Sequence, residues 1–283
     1  MSMDVISRRK VLAAMAAGPL LLGARGAIAT AAKQPAKPYL IAHRGGVVSP
    51  EHPENSMGAL KEAIRRGYTH VEVDLRCTRD GHVVCLHDRN LMRTTGLDLM
   101  VDEVSLQELH RHVRPDIVPT FDVFARTSAA GKLGLMVDIK EVPAPLLPAF
   151  SKGIETSLER HGLLAGALLI GHGPAMARIH GPVRTKWRKP FAQFESEILA
   201  KGGDPAHYFA FDHPHDFTPE DIAGFRRHGV DVIVTVNLLH YPTTDPIIQG
   251  QRDLAYAASL GVDGYQIDAD YETYVQSIMA SAL

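Results

Sequence analysis

Cysteine and tryptophan are nearly missing from this chain, with two and one among 283 residues, and aromatic residues make up 6%. Two cysteines are too few for a disulfide-stapled scaffold. No charge sign dominates: 30 basic against 32 acidic side chains give a net −2. Setting aside the four basic and one acidic residues of positions 1–31 leaves 26 against 31, a balance of −5. A mildly acidic body carries no electrostatic footprint for nucleic acid or anionic lipid, so any anion it binds must be caught locally. No apolar run reaches the ~20 residues needed to span a bilayer. What is plentiful is core material: 45% hydrophobic and 22% charged residues exclude disorder and collagen-like repeats and allow a large core.

The first 31 residues read as an address. Ser7-Arg8-Arg9-Lys10 precedes an apolar, small-residue run from Val11 to Leu22, interrupted by Gly18-Pro19, and then Ala27-Ile28-Ala29. The arginine pair, short run and small residues predict a twin-arginine export signal, cleaved after Ala29 or Ala31, with a periplasmic or secreted product that has no stable membrane anchor. A linker over 32–37 then leads into one domain, 38–283. In an exported chain a Cys77–Cys85 disulfide has to be considered. Asp80-Gly81 between them is a hairpin signal, and a two-residue turn sets Cys77 opposite Val84, with the two sulfurs on opposite faces.

From residue 38 onward, short apolar runs alternate with amphipathic helical segments. Strands are expected at Tyr39–His43, His70–Leu75, Leu133–Asp138, Ala167–Ile170, Val183–Trp187, Tyr208–Phe211, Asp231–Thr235 and Gly264–Ile267. Ser105-Leu106-Gln107-Glu108 is a capping box, and Thr218-Pro219-Glu220-Asp221 sets a cap, a first-turn proline and acids in register. Gly229-Val230-Asp231 and Gly261-Val262-Asp263 each end a helix and open a strand at an interval matching one strand-plus-helix unit. Such alternation predicts a parallel sheet, closed or open. Eight units in ~250 residues, with no G-x-G-x-x-G turn after the first strand, favour the closed form, a single-domain (β/α)8 TIM barrel.

Barrel chemistry gathers where strands end. The first run stops at His43-Arg44-Gly45-Gly46, an imidazole beside a guanidinium. In Val71-Glu72-Val73-Asp74-Leu75 the period-two alternation puts Glu72 and Asp74 on one face, where two carboxylates repel unless a cation or proton lies between them. The alternatives are a solvated face or an ion pair with Arg76. The chain returns as Val83-Val84-Cys85-Leu86 and ends at His87-Asp88. In the two-residue-turn register His87 stands across from Asp74; otherwise it is a surface histidine paired with Asp88. Asp138 and Lys140 repeat the alternating device as either a third ligand and an anion contact or a structural bridge. Asp212 and Asp268 end later runs with no partner visible.

His43-Arg44-Gly45, Pro53-Glu54-Asn55-Ser56, Glu72-x-Asp74, Asp80-Gly81 and His87-Asp88, in this order and at these intervals, resemble the glycerophosphodiester phosphodiesterase family. The likeness is dense from residue 40 to 96. It continues through Pro119-Thr120-Phe121 and Asp138-Ile139-Lys140, and reappears in Thr235-Val236-Asn237 and Gly261-Val262-Asp263-Gly264 with Asp268. The resemblance implies a (β/α)8 barrel that hydrolyses small-molecule glycerophosphodiesters to glycerol 3-phosphate and an alcohol. By position it implies catalytic histidines at His43 and His87, metal ligands at Glu72, Asp74 and Asp138, phosphate contacts at Arg44 and Lys140, and Glu54 and Asn55 on the substrate-binding side as supporting groups. Where Asp138 stands the family usually has glutamate, so this ligand is one methylene shorter.

An all-carboxylate donor set, with no histidine or cysteine cluster at zinc spacing, calls for one hard divalent cation, Mg2+ or Ca2+, with Mn2+ also suitable. Two other readings share these residues. One is a phospholipid or lysophospholipid headgroup phosphodiesterase, which an apolar patch beside the mouth would favour. The other is a periplasmic phosphate-ester binding protein, which has no use for a matched acid and base.

Overall fold

The structure, a computed structural model, describes residues 38–242 and 245–281. The export segment 1–31 and the linker 32–37 lie outside them. Within the described residues the strands are β1 (Tyr39–Ala42), β2 (His70–Cys77), β3 (Val83–Cys85), β4 (Gly134–Ile139), β5 (Leu168–Gly171), β6 (Arg184–Trp187), β7 (Tyr208–Asp212), β8 (Val232–Val236) and β9 (Gly264–Ile267). All are parallel neighbours in chain order except β3, which folds back antiparallel on β2. β1 pairs with both β2 and β9, and that double pairing closes an eight-stranded parallel barrel. Each strand expected from the sequence is present.

The alternation of side chains builds two layers of core. On β2, Val71, Val73 and Leu75 face outward into the cluster shared with the helices, while Glu72 and Asp74 face the barrel axis. Ile41, Met136, Leu168, Ile170, Phe209, Phe211 and Ile233 fill the interior below the mouth. This plug lets the charged layer above it rest on a dry floor.

The helix signals work as local chemistry dictates. Ser105 and Glu108 form a reciprocal capping box at the helix Leu106–His112, and Thr218 and Asp221 do so at Pro219–Arg227. The helices Pro219–Arg227 and Pro246–Leu260 stop at Gly229 and Gly261, and β8 and β9 open three residues later.

The β2–β3 hairpin departs from expectation. Thr78 N–H donates to the His82 carbonyl and Gly81 N–H to the Thr78 carbonyl, each at 2.9 Å, with Gly81 at φ +86°. This is a turn of three residues with glycine in the left-handed position, not a two-residue turn. The register therefore slips by one: Cys77 faces Val83 and Cys85 faces Leu75. The slip puts both sulfurs on one face, but they are diagonal neighbours. That separation exceeds the ~3.8 Å between β-carbons that a disulfide requires. Both cysteines are buried free thiols.

Candidate active site

His43 follows β1 directly, and its Nδ1 lies 2.7 Å from Asp268 Oδ1 at the end of β9. The other Asp268 oxygen accepts the Leu238 N–H at 2.7 Å, so the carboxylate is fixed from two sides. Burial pushes the Asp268 carboxyl up, but His43, the Leu238 N–H and the charge of Arg44 together hold it below the ordinary range. With Nδ1 engaged, Nε2 is the free nitrogen of His43.

His87 is built the same way after β3. The slipped register sets Leu86, not His87, across from Asp74, with the Leu86 N–H donating to the Asp74 carbonyl at 2.9 Å. β3 has ended at Cys85, however, so the chain is free of the ladder and the His87 ring turns inward, with Nε2 4.0 Å from Asp74 Oδ1. Nδ1 of His87 lies 2.7 Å from Asp88 Oδ1. The surface pairing with Asp88 and the approach to Asp74 were alternatives in the sequence; in the structure they are the two ends of one ring. The Arg93 hydrogen bond holds the Asp88 carboxyl well below the usual range, and the His87 contact adds to it.

Glu72 and Asp74 are each 1% exposed, side by side on β2. Asp138 joins them from β4, where it is paired with Asp74 across the sheet. The three offer oxygen atoms within 4.8 Å of one another. Lys140 Nζ lies 2.7 Å from both Asp74 and Asp138, and among the described residues it is the lysine or arginine paired with the cluster. Three carboxylates against one ammonium leave two negative charges uncompensated in a buried site. Burial, with Asp74 and Asp138 alongside, pushes Glu72 well above the ordinary carboxylate range. A shortfall of two charges in an all-oxygen set fits a divalent hard cation, so the cluster could hold a metal ion.

The remaining expected residues hold this arrangement from behind. Asn55, 1% exposed and at φ +59°, gives its side-chain amide to Asp74 Oδ2 at 2.8 Å and accepts the Asp74 N–H at 3.0 Å. Both ends of the Asn55 amide are engaged by Asp74. Arg44 gives its backbone N–H to Glu72 at 2.7 Å. Its guanidinium binds Glu54 at 2.7 Å, and Glu54 is also gripped by Arg93 at 2.6 and 2.8 Å. Glu54 is thus a counter-ion between two arginines.

Asp268, Asp88 and Arg93 were not assigned a role from the sequence. The adjacency His87-Asp88 was a usable signal for one. Asp268 ends the last apolar run and shares in the resemblance, but its partner is not visible there, because that partner is 225 residues away and meets it only when the barrel closes. Asp212, the other unassigned acid, binds Arg188 at 2.7 and 2.8 Å.

Residues 43–160, the segment that carries both histidines and all three acids, match the sequence profile of the Glycerophosphoryl diester phosphodiesterase family. Over this segment, under half of the chain, the protein is similar to that family. The "Probable glycerophosphodiester phosphodiesterase 1" of Mycobacterium tuberculosis is 42% identical over 87 residues, which cover 28% of this chain and 31% of that protein. The alignment thus spans under a third of that relative's length. A solved glycerophosphoryl diester phosphodiesterase from Parabacteroides distasonis superposes with a TM-score of 0.68 at 20% identity, covering 89% of each chain. An Oleispira antarctica phosphodiesterase, solved in complex with the product sn-glycerol-3-phosphate, gives 0.64 at 19% identity, over 86% of this chain and 97% of that one. At these identities the two structures speak for the barrel fold.

Proposed function

We propose that this chain is a glycerophosphodiester phosphodiesterase that hydrolyses glycerophosphodiesters to glycerol 3-phosphate and an alcohol, with Glu72, Asp74 and Asp138 holding one divalent cation. The single observation that carries the reading is a pair of aspartate-anchored imidazoles, His43–Asp268 and His87–Asp88, flanking one buried carboxylate cluster. Each aspartate takes the Nδ1–H of its ring and stabilises the imidazolium, so Nε2 is kept for proton transfer. One histidine takes the proton of the attacking oxygen and the other gives a proton to the departing alcohol. Arg44 and Lys140 place positive charge where the phosphoryl oxygens grow more negative during displacement. Glu72, Asp74 and Asp138 would hold the cation, Mg2+ or Ca2+ by the all-carboxylate donors, which would supply Lewis-acid stabilisation when bound.

The test is release of glycerol 3-phosphate from glycerophosphocholine, with and without chelator, by the wild type and His87→Ala. Turnover indifferent to chelation overturns the metal assignment, and full activity in His87→Ala overturns the paired-histidine chemistry.

A lysophospholipid substrate is the second reading. It is favoured by three exposed apolar side chains, Val48, Met92 and Leu239, on the loops that follow β1, β3 and β8 at the mouth. Each stands on a different loop, so we place it second; lysophosphatidylcholine turned over faster than glycerophosphocholine would reverse that order. We also propose export by the twin-arginine route, supported by Arg8-Arg9 and the short apolar run after them. Retention of an Arg8→Lys, Arg9→Lys chain in the cytoplasm, against export of the wild type, tests it.

A further inference from the structure

Across the mouth from the acidic cluster, the ends of β6, β7 and β8 enclose a cleft of about 460 Å3 lined by Lys186, Arg188, Asp212, His213, Asp216 and His240 among others. The strand β6 and the residue after it carry cations at every second position, Arg184, Lys186 and Arg188, all on the axial face. The register supports this: Lys186 pairs with Phe209, which belongs to the barrel interior, whereas Trp187 on the other face packs against Phe194 and Tyr208. Two of the three cations are neutralised. Arg184 pairs with Asp231 below, and Arg188 takes Asp212 through two hydrogen bonds above. Lys186, between them, has no carboxylate within 4.0 Å among the described residues.

A part-buried ammonium without a counter-charge is costly, and it is the natural partner of an anion delivered by a ligand. Burial, together with Arg188 alongside, holds the Lys186 ammonium below its ordinary value, as expected of an uncompensated cation. Asp138 and Asp212 pull it the other way without overcoming burial, and Lys140 adds to the effect of Arg188. The cleft thus opens on the same end of the barrel as the acidic cluster, where the scissile phosphate would sit. With that phosphate assigned above to Arg44 and Lys140, Lys186 is available to a second anion. The lining is charged and hydrogen-bonding, which suits a hydrophilic group rather than an acyl chain.

We propose that this cleft receives the alcohol arm of the diester and selects alcohols that carry a second anionic group, a carboxylate or phosphate, with Lys186 as its counter-charge. This deepens the phosphodiesterase reading and rests on it. Arg188, held by Asp212, frames the cleft rather than competing for the anion.

The experiment compares pairs of substrates that differ by one anionic group. Glycerophosphoserine against glycerophosphoethanolamine tests a carboxylate, and glycerophosphoinositol phosphate against glycerophosphoinositol tests a phosphate. The wild type is expected to favour the anionic member of at least one pair in kcat/KM by about tenfold or more, the scale of one charge-assisted hydrogen bond. The ratio should shrink toward one in Lys186→Gln and fall below one in Lys186→Glu. Whichever pair responds identifies the anion. Calorimetric binding of the same compounds to the wild type reads the cleft without turnover. Binding that keeps the preference while no diester is hydrolysed would sink the phosphodiesterase reading and leave the subsite standing. Turnover of both members with no preference, or an equal loss on both in Lys186→Gln, would overturn the subsite.

Discussion

His43 Nδ1 and Asp268 Oδ1 lie 2.7 Å apart across the seam where β1 meets β9, so the same pairing that closes the barrel also orients an imidazole. Replacing the carboxylate by an amide keeps the shape and removes the charge that stabilises the imidazolium. Asp268→Asn should lower kcat on the order of 10²-fold or more with little change in KM, the size of a general acid–base contribution. Steady-state kinetics on glycerophosphocholine read it, and an unchanged kcat would remove Asp268 from the proton chemistry.

The cluster of Glu72, Asp74 and Asp138 carries two more negative charges than Lys140 balances. A divalent cation that binds only the folded chain should therefore stabilise it, by about 2.7 kcal/mol at about a hundredfold excess over its Kd. Thermal unfolding in chelator, Mg2+ and Ca2+ measures the effect. Glu72→Gln should abolish the metal-dependent part of Tm; the same shift in the variant would place the cation elsewhere.

Gly171 ends β5 at φ +102°, and a β-carbon there would stand 2.5 Å from Asp138 Oδ1 and 2.3 Å from the Ile139 carbonyl oxygen. Gly171→Ala should cost about 1–3 kcal/mol from backbone strain and contact. It should also weaken cation binding, because Asp138 is the group displaced. Denaturant unfolding and metal titration of the one variant report the two effects separately. A stability loss with unchanged metal affinity would mean that Asp138 does not ligate.

A chain of ion pairs runs from His87 through Asp88, Arg93 and Glu54 to Arg44. Arg93→Ala releases both carboxylates and should lower kcat/KM about tenfold, and Arg93→Lys should recover part of it, since a lysine cannot grip Glu54 in two places. Asp88 is held below its ordinary value of 3.8, chiefly by Arg93. The stability it contributes is therefore complete above that pH and lost as the solution is acidified through its lowered value. Asp88→Asn should flatten the acid limb of the unfolding curve, and an unchanged limb would show the pair to be idle.

Much of this was legible in the chain itself. Period-two alternation put Glu72 with Asp74, and Asp138 with Lys140, because a strand offers only two faces and the apolar partners Val73 and Val137 claim the other. Capping boxes at Ser105 and Thr218 and the stops at Gly229 and Gly261 depend on contacts a few residues long, so they read directly. The hairpin between Cys77 and Cys85 was misread, since one dipeptide, Asp80-Gly81, serves turns of two lengths and the register differs by one between them.

What sequence determined, then, is everything governed by neighbours along the chain: the alternating units, the acidic face of β2, the presence of two histidines at strand ends. What only the tertiary structure decided is which distant groups meet. Asp268 comes to His43 through ring closure, Asn55 is turned under Asp74 by a left-handed backbone, and Lys186 is left alone between two neutralised arginines. Charge pairing depends on distance in space, and only the closed barrel sets those distances.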